Sequence, residues 1–191
     1  LSLRWRKIQA MLQLQAVDAC LLSTNVNIYY TTGILISGFV YLPCEGNPLF
    51  FVRRPVDVEG ENVVHIRKPE EIPFLLKEKG YPTPKVLMLE GGEITHTDFL
   101  RLQAAMNVHN IIDGTPLLRQ VRSVKTAYEI TQIKESACLQ SEAFNKFPSL
   151  YRSGMTDHDF TVEMERCMRQ YGNLGMFRVF GSTMEAGQAS V

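Results

Sequence analysis

The chain has 191 residues, 45% hydrophobic and 21% charged, which suits one whole globular domain and part of another. Twenty basic residues balance twenty acidic ones, so no net field draws the chain to nucleic acid. No apolar run approaches the ~20 residues of a membrane helix, and the start "LSLRWRKIQAMLQLQ" is too polar for a signal peptide.

In chain order, "LRWRKIQAMLQLQ" spaces Trp5, Ile8, Met11 and Leu12 for an amphipathic helix. "VDACLLS" reads as a buried strand. "TNVNIYYTTGI" offers Thr24 and Asn25 as N-caps, a short helix, and Gly33 as its stop. "SGFVYLPC" and "PLFFVRR" are strand-like and joined by "EGN", a hairpin signal. "ENVVHIRKP" adds a short strand; Pro69, Glu70 and Glu71 open a helix that Gly80 stops. "PKVLMLEGG" is another buried strand. Phe99, Leu102 and Met106 then mark a helix and "VHNIID" a strand, with Gly114 and Pro116 as punctuation. This alternation with one hairpin predicts an α/β domain, a mixed sheet flanked by helices.

The texture changes near "LLRQVRS", where the boundary between residues 1–121 and 122–191 is expected. Thr126 and Glu129 form an S/T-x-x-E capping box. Ile130, Ile133, Ala137 and Phe144 mark an apolar face behind it, and Pro148 is expected to end or kink the helix near Phe147. Thr156 and Asp159 repeat the cap. Phe160, Met164, Cys167, Met168 and Tyr171 share one face, with Glu165 and Arg169 as an i, i+4 pair outside. Two such faces cover each other only in part. The sequence adds one short strand-like run, "MFRVFGS", so the sheet beneath these helices is expected beyond Val191 and the 191 residues read as a fragment.

Candidate chemistry is sparse. His65 and His109 sit in strand-like runs, and His158 falls in a first helical turn. "HTD" at His96–Asp98 follows a strand and a Gly-Gly turn, where α/β sites lie, but Thr95 or Thr97 also makes it a helix cap. "EGGE" at Glu90–Glu93 lacks the glycine spacing and the lysine of a phosphate loop. Arg53 and Arg54 read as a strand leaving the core or as a contact to another subunit. Tyr29 and Tyr30 read as half core and half rim. Cys20, Cys44, Cys138 and Cys167 form no C-x-x-C pair; Cys20 and Cys167 read as buried thiols, which suits a reducing, cytoplasmic compartment. No catalytic, cofactor-binding or metal-ligating residue is assigned.

Arg122, Val124, Lys125, Thr126, Glu129, Ile130 and Ile133 give R-x-V-K-T-x-x-E-I-x-x-I. This resembles the helix that opens the catalytic domain of the Xaa-Pro peptidases: prolidase, aminopeptidase P and the related creatinase. "MLQLQAVDACLLSTNVNIYYTTG", "GMTDHDFTVEMERCMRQYG" and "FRVFGS" resemble other family segments in the same order. The resemblance implies a creatinase/prolidase-like N-terminal domain followed by an incomplete α+β pita-bread domain. It implies two divalent metals (manganese, cobalt or zinc) in the full-length protein, held by two Asp, one His and two Glu that lie downstream. The chain alone would then hold no metal and be inactive. It also implies a homodimer and a proline-containing peptide substrate; the short apolar runs already argue against a membrane partner. Two departures stand out: Ser153 replaces the usual Pro before G-M-T, and "TMEAGQASV" lacks the family's substrate-binding His. A metal-free peptide- or protein-binding module, and a creatinase-like C–N hydrolase, are the alternatives.

Overall fold

The structure is a computed structural model and describes residues 1–173. It separates into two compact units, Leu1–Val124 and Lys125–Val191. The segment "LLRQVRS", expected at the boundary, is helical and packs in the first unit.

The first unit is a six-stranded mixed sheet flanked by helices. Helix α1 (Ser2–Leu14) leads into β1 (Ala19–Leu22), α2 (Asn25–Thr32), and the hairpin β2 (Ser37–Pro43) and β3 (Leu49–Arg54). β4 (Val63–His65), a 3₁₀ turn at Pro69–Glu71 and α3 (Ile72–Glu78) follow. Then come β5 (Val86–Leu89), α4 (His96–Met106), β6 (Asn110–Asp113) and α5 (Thr115–Ser123). The strand order is β4-β3-β2-β1-β5-β6. β1 runs antiparallel to β2 and parallel to β5; β3 and β4, like β5 and β6, are parallel.

Side-chain alternation explains the nearly continuous apolar strands. Ala19, Leu21, Leu87 and Leu89 face one core, shared with Ile72 and Leu76 of α3 and with Leu102 and Met106 of α4. Cys20, Leu22 and Met88 face the opposite core, against Ile8 and Leu12 of α1, Ile28 of α2 and Leu118 of α5. Both sheet faces are covered, so alternate residues need not be polar. Each large side chain buried this way contributes ~1.5–3 kcal/mol.

Helix α5 is the element that the sequence reading missed. Gly114 and Pro116 look like turn punctuation, yet Pro116 lies in the helix's first turn, where its missing N–H costs nothing. Leu118 is buried, and Leu117 and Val121 pack against the same core.

In the second unit, α6 (Ala127–Leu150) and α7 (Asp157–Gln170) form a helical pair. Both capping boxes are present. The Thr126 hydroxyl accepts from the Glu129 amide (3.3 Å) while Glu129 accepts from the Thr126 amide (2.8 Å). Thr156 and Asp159 do the same, at 3.1 Å each way. Ala143, Phe147, Met164, Cys167 and Met168 form the shared core, with Phe160 and Tyr171 beside it.

Three details differ from expectation. α6 continues through Pro148 to Leu150, because a proline in a last turn forfeits one hydrogen bond, to a residue (Phe144) already at the surface. The expected face of α6 is largely exposed, at Ile130, Ile133 and Phe144; the buried positions are Ala143 and Phe147. On α7, Glu163 rather than Glu165 carries the ion pairs, to Arg166 (3.1 Å) and Arg152 (3.8 Å). The strand read at "MFRVFGS" and the sequence "TMEAGQASV" lie outside the described residues.

Candidate functional site

β1 and β5 run in parallel, so Ser23 and Glu90, the residues that follow them, emerge side by side at the carboxyl edge of the sheet. β1 leads through α2 to its neighbour β2, and β5 leads through α4 to its neighbour β6 on the other side. This is a topological switch point, the place where open α/β sheets bind ligands. Here the space is filled by the protein itself. Glu90 is 1% exposed and accepts five hydrogen bonds. They come from the Ser23 amide (2.5 Å) and hydroxyl (3.2 Å), the Thr24 amide (2.9 Å) and hydroxyl, and the Asn27 side-chain amide.

The carboxylate therefore sits on the amino end of α2, where free N–H groups and the helix dipole favour an anion. Thr24 occupies the N-cap position, as its sequence suggests, but its hydroxyl turns to Glu90 and makes no cap bond of its own. Asn27, 5% exposed, passes the network on: its Oδ1 accepts from Arg122 Nη1 at 2.5 Å. Sequence reading dismissed "EGGE" as a phosphate loop and gave Glu90 no role. Its partners lie more than sixty positions away, and the one local clue is a carboxylate placed directly after the apolar run "VLML".

Beside this plug opens a cleft of ≈ 390 Å³. Gly38, Phe39, Pro69, Ile94 and Leu102 form its apolar side. Ser23, Thr24 and Asn25 line it at the α2 end, and Glu93, Thr95, Asp98 and Arg101 line it at the α4 end. Arg53 lines it as well. The charges are unequally engaged. Arg101 makes a two-pronged pair with Glu70 (2.8 and 3.1 Å), which holds the Glu70 carboxyl below its ordinary range. Glu93 pairs with Arg119. The Asp98 carboxylate accepts from the Thr95 hydroxyl (2.7 Å), completing the cap of α4 that "HTD" suggested.

Arg53 has no carboxylate partner among the described residues; its guanidinium lies 5.6 Å from the centre of the Phe39 ring. Its placement is a backbone decision. The β2–β3 register passes from Ser37↔Arg54 to Gly38↔Val52, so Arg53 is the extra residue of a β-bulge. Bulges re-aim side chains and cluster near sites. Gly38 permits this one: a Cβ there would stand 1.9 Å from the Phe51 carbonyl oxygen.

The remaining sequence candidates are scattered. His65, His96, His109 and His158 are all exposed and far apart in the chain, on β4, on α4, in the loop before β6 and on α7; the His65 ring lies 2.9 Å from the Val58 carbonyl. Tyr30 is buried under Arg4 and Tyr29 is exposed. Cys20 and Cys167 are buried, as expected, and burial followed by the Glu90 charge pushes the Cys20 thiol well above its usual range. Among the described residues, no three His, Cys, Asp or Glu side chains converge as a metal site would require. No helix is long and apolar enough to cross a membrane.

A family model for the creatinase/prolidase N-terminal domain matches residues 4–124. The chain belongs to this family. Within and around it, an uncharacterized peptidase of Staphylococcus aureus (strain bovine RF122 / ET3-1) is 27% identical over 180 residues. That match covers 87% of this chain and 49% of the relative. A solved Xaa-Pro dipeptidase from Bacillus anthracis superposes with a TM-score of 0.72 at 21% identity, covering 87% of this chain and 48% of the other. A prolidase from Pyrococcus furiosus gives 0.72 at 18% identity, covering 86% and 52%. At such identities the superpositions establish the creatinase/prolidase N-terminal fold. The chain spans about half the length of the curated relatives it matches.

Proposed function

We propose that the chain is the N-terminal part of a longer metal-dependent peptidase that hydrolyses Xaa-Pro bonds in the cytoplasm. In this reading the first unit pairs subunits in a homodimer and shapes the substrate pocket, while α6 and α7 open the catalytic domain. One observation carries the reading: the family match over residues 4–124 runs directly into the capped R-x-V-K-T-x-x-E-I-x-x-I helix. The four unpaired cysteines agree with a reducing compartment.

Two bridged divalent cations would generate a hydroxide at neutral pH and polarise the scissile carbonyl. The described residues do not fit that group, because no three of their potential ligands converge. No catalytic step is therefore assigned to them. The test is to express this chain in continuity with the downstream coding sequence and assay Leu-Pro and Ala-Pro with manganese, cobalt or zinc. Chelator-sensitive hydrolysis by the long form, and none by residues 1–191 alone, is expected. Hydrolysis by the 191 residues alone would refute the division of labour. A downstream sequence without two Asp, one His and two Glu would refute the peptidase reading and favour a binding module.

A further inference from the structure

We infer that the cleft beside Glu90 binds a small zwitterion with an apolar side chain, of free amino acid to dipeptide size, whose carboxylate is held by Arg53. The inference concerns the first unit alone, so failure of Xaa-Pro hydrolysis and failure of this binding are separate results.

The Arg53 guanidinium offers a planar fork suited to a carboxylate, and no carboxylate of the described residues takes it. The neighbouring cation, Arg101, is by contrast already satisfied by Glu70. The chain places Arg53 through a bulge that needs a glycine opposite it, an arrangement that a strand merely leaving the core does not require. Phe39, Ile94 and Leu102 supply an apolar seat for a side chain. Glu93 is taken by Arg119, but Asp98 lines the same cleft and makes no ion pair among the described residues, which suits it to an ammonium group. The Asp98 carboxylate disfavours a phosphate or another dianion in the same space. The volume, ≈ 390 Å³, lies at the small end of ligand pockets, which span ~300–1,000 Å³.

The test is a titration of the 191-residue chain followed by backbone amide NMR shifts, with L-leucine and the dipeptide Leu-Pro as probes. Leucinamide removes the carboxylate, 4-methylpentanoate removes the ammonium, and inorganic phosphate tests bare anion binding. Saturable millimolar or tighter shifts at Gly38, Thr95 and their neighbours are expected with leucine or Leu-Pro; whichever binds more tightly names the ligand size. Leucinamide should bind about tenfold or more weakly, the loss expected for a charge-assisted hydrogen bond. Arg53→Gln should weaken leucine by a similar factor and erase its advantage over leucinamide; unchanged shifts elsewhere verify its fold. Arg53→Lys should recover part of the affinity. The inference is overturned if neither zwitterion gives saturable shifts, if Arg53→Gln leaves their affinity unchanged, or if phosphate binds as well.

Discussion

Replacing Glu90 with Gln keeps the shape of the side chain and removes two of its properties, the charge and the acceptor-only character. One oxygen faces the amides of Ser23 and Thr24; the other faces the Thr24 hydroxyl and the Asn27 amide. An amide NH₂ on the first side opposes two main-chain donors, which cannot turn. On the second side the Thr24 hydroxyl can rotate to accept, but Asn27 cannot flip without pointing its NH₂ at the Arg122 guanidinium. Either orientation leaves one or two buried donors without an acceptor, each costing ~1–3 kcal/mol, and weakens the remaining bonds. Loss of the anion at the α2 amino end adds to this. The expected destabilisation is about 2–4 kcal/mol, or a fall in melting temperature of roughly 6–16 °C. Urea denaturation and calorimetry of the 191-residue chain measure it, and faster hydrogen exchange at the Ser23 and Thr24 amides should accompany it. A melting temperature within 2 °C of the parent, with those amides still protected, would mean that the Glu90 charge does not hold the β1–β5 edge together.

Gly38→Ala should cost about 3 kcal/mol or more in denaturant unfolding, because the clash at Phe51 is with main chain at a bulge that cannot yield cheaply. Thr126→Ala should remove about 1 kcal/mol from the second unit, seen as lost helical signal on heating. Burial pushes the Asp113 carboxyl up, but hydrogen bonds from the Thr115 hydroxyl and amide and from the Gly92 and Gly91 amides outweigh it and hold it below the ordinary aspartate value of 3.8. Its contribution is therefore present above that value and lost as pH falls through the lower, folded-state range. Asp113→Asn should therefore lower stability at neutral pH and flatten the acid limb of the stability–pH curve. A thiol reagent should modify exposed Cys138 first and half-buried Cys44 more slowly, leaving Cys20 and Cys167 unmodified until denaturant is added.

What could be read from the sequence was whatever is written locally. Both capping boxes depend on residues three apart, and both are present. The strands announced themselves because both sheet faces are covered, and the hairpin because its loop is short. Helix α5 was lost because Gly114 and Pro116 signal a turn as well as a helix entrance; Leu117, Leu118 and Val121 were the available counter-signal. Pro148 does not end α6 at Phe147, since a breaker in the last turn has little left to break. The Glu90 network depends on strand adjacency across more than sixty residues, which no window of sequence displays. Arg53 was visible as a residue but not as a bulge, because an offset in register belongs to a pair of strands.

The sheet order also has a kinetic consequence. β1, β2 and β3 each pair with the next strand in the chain, and β5 pairs with β6, so both portions can assemble from short-range contacts. The seam that unites them is β1 against β5, where Cys20 meets Met88. Closing that loop costs the most chain entropy and is expected to come late. Glu90 lies at this seam, so its bonds belong to the last step of folding and the first step of opening. Glu90→Gln should therefore speed unfolding far more than it slows refolding, and the measured lifetime of the folded first unit should track the integrity of one carboxylate.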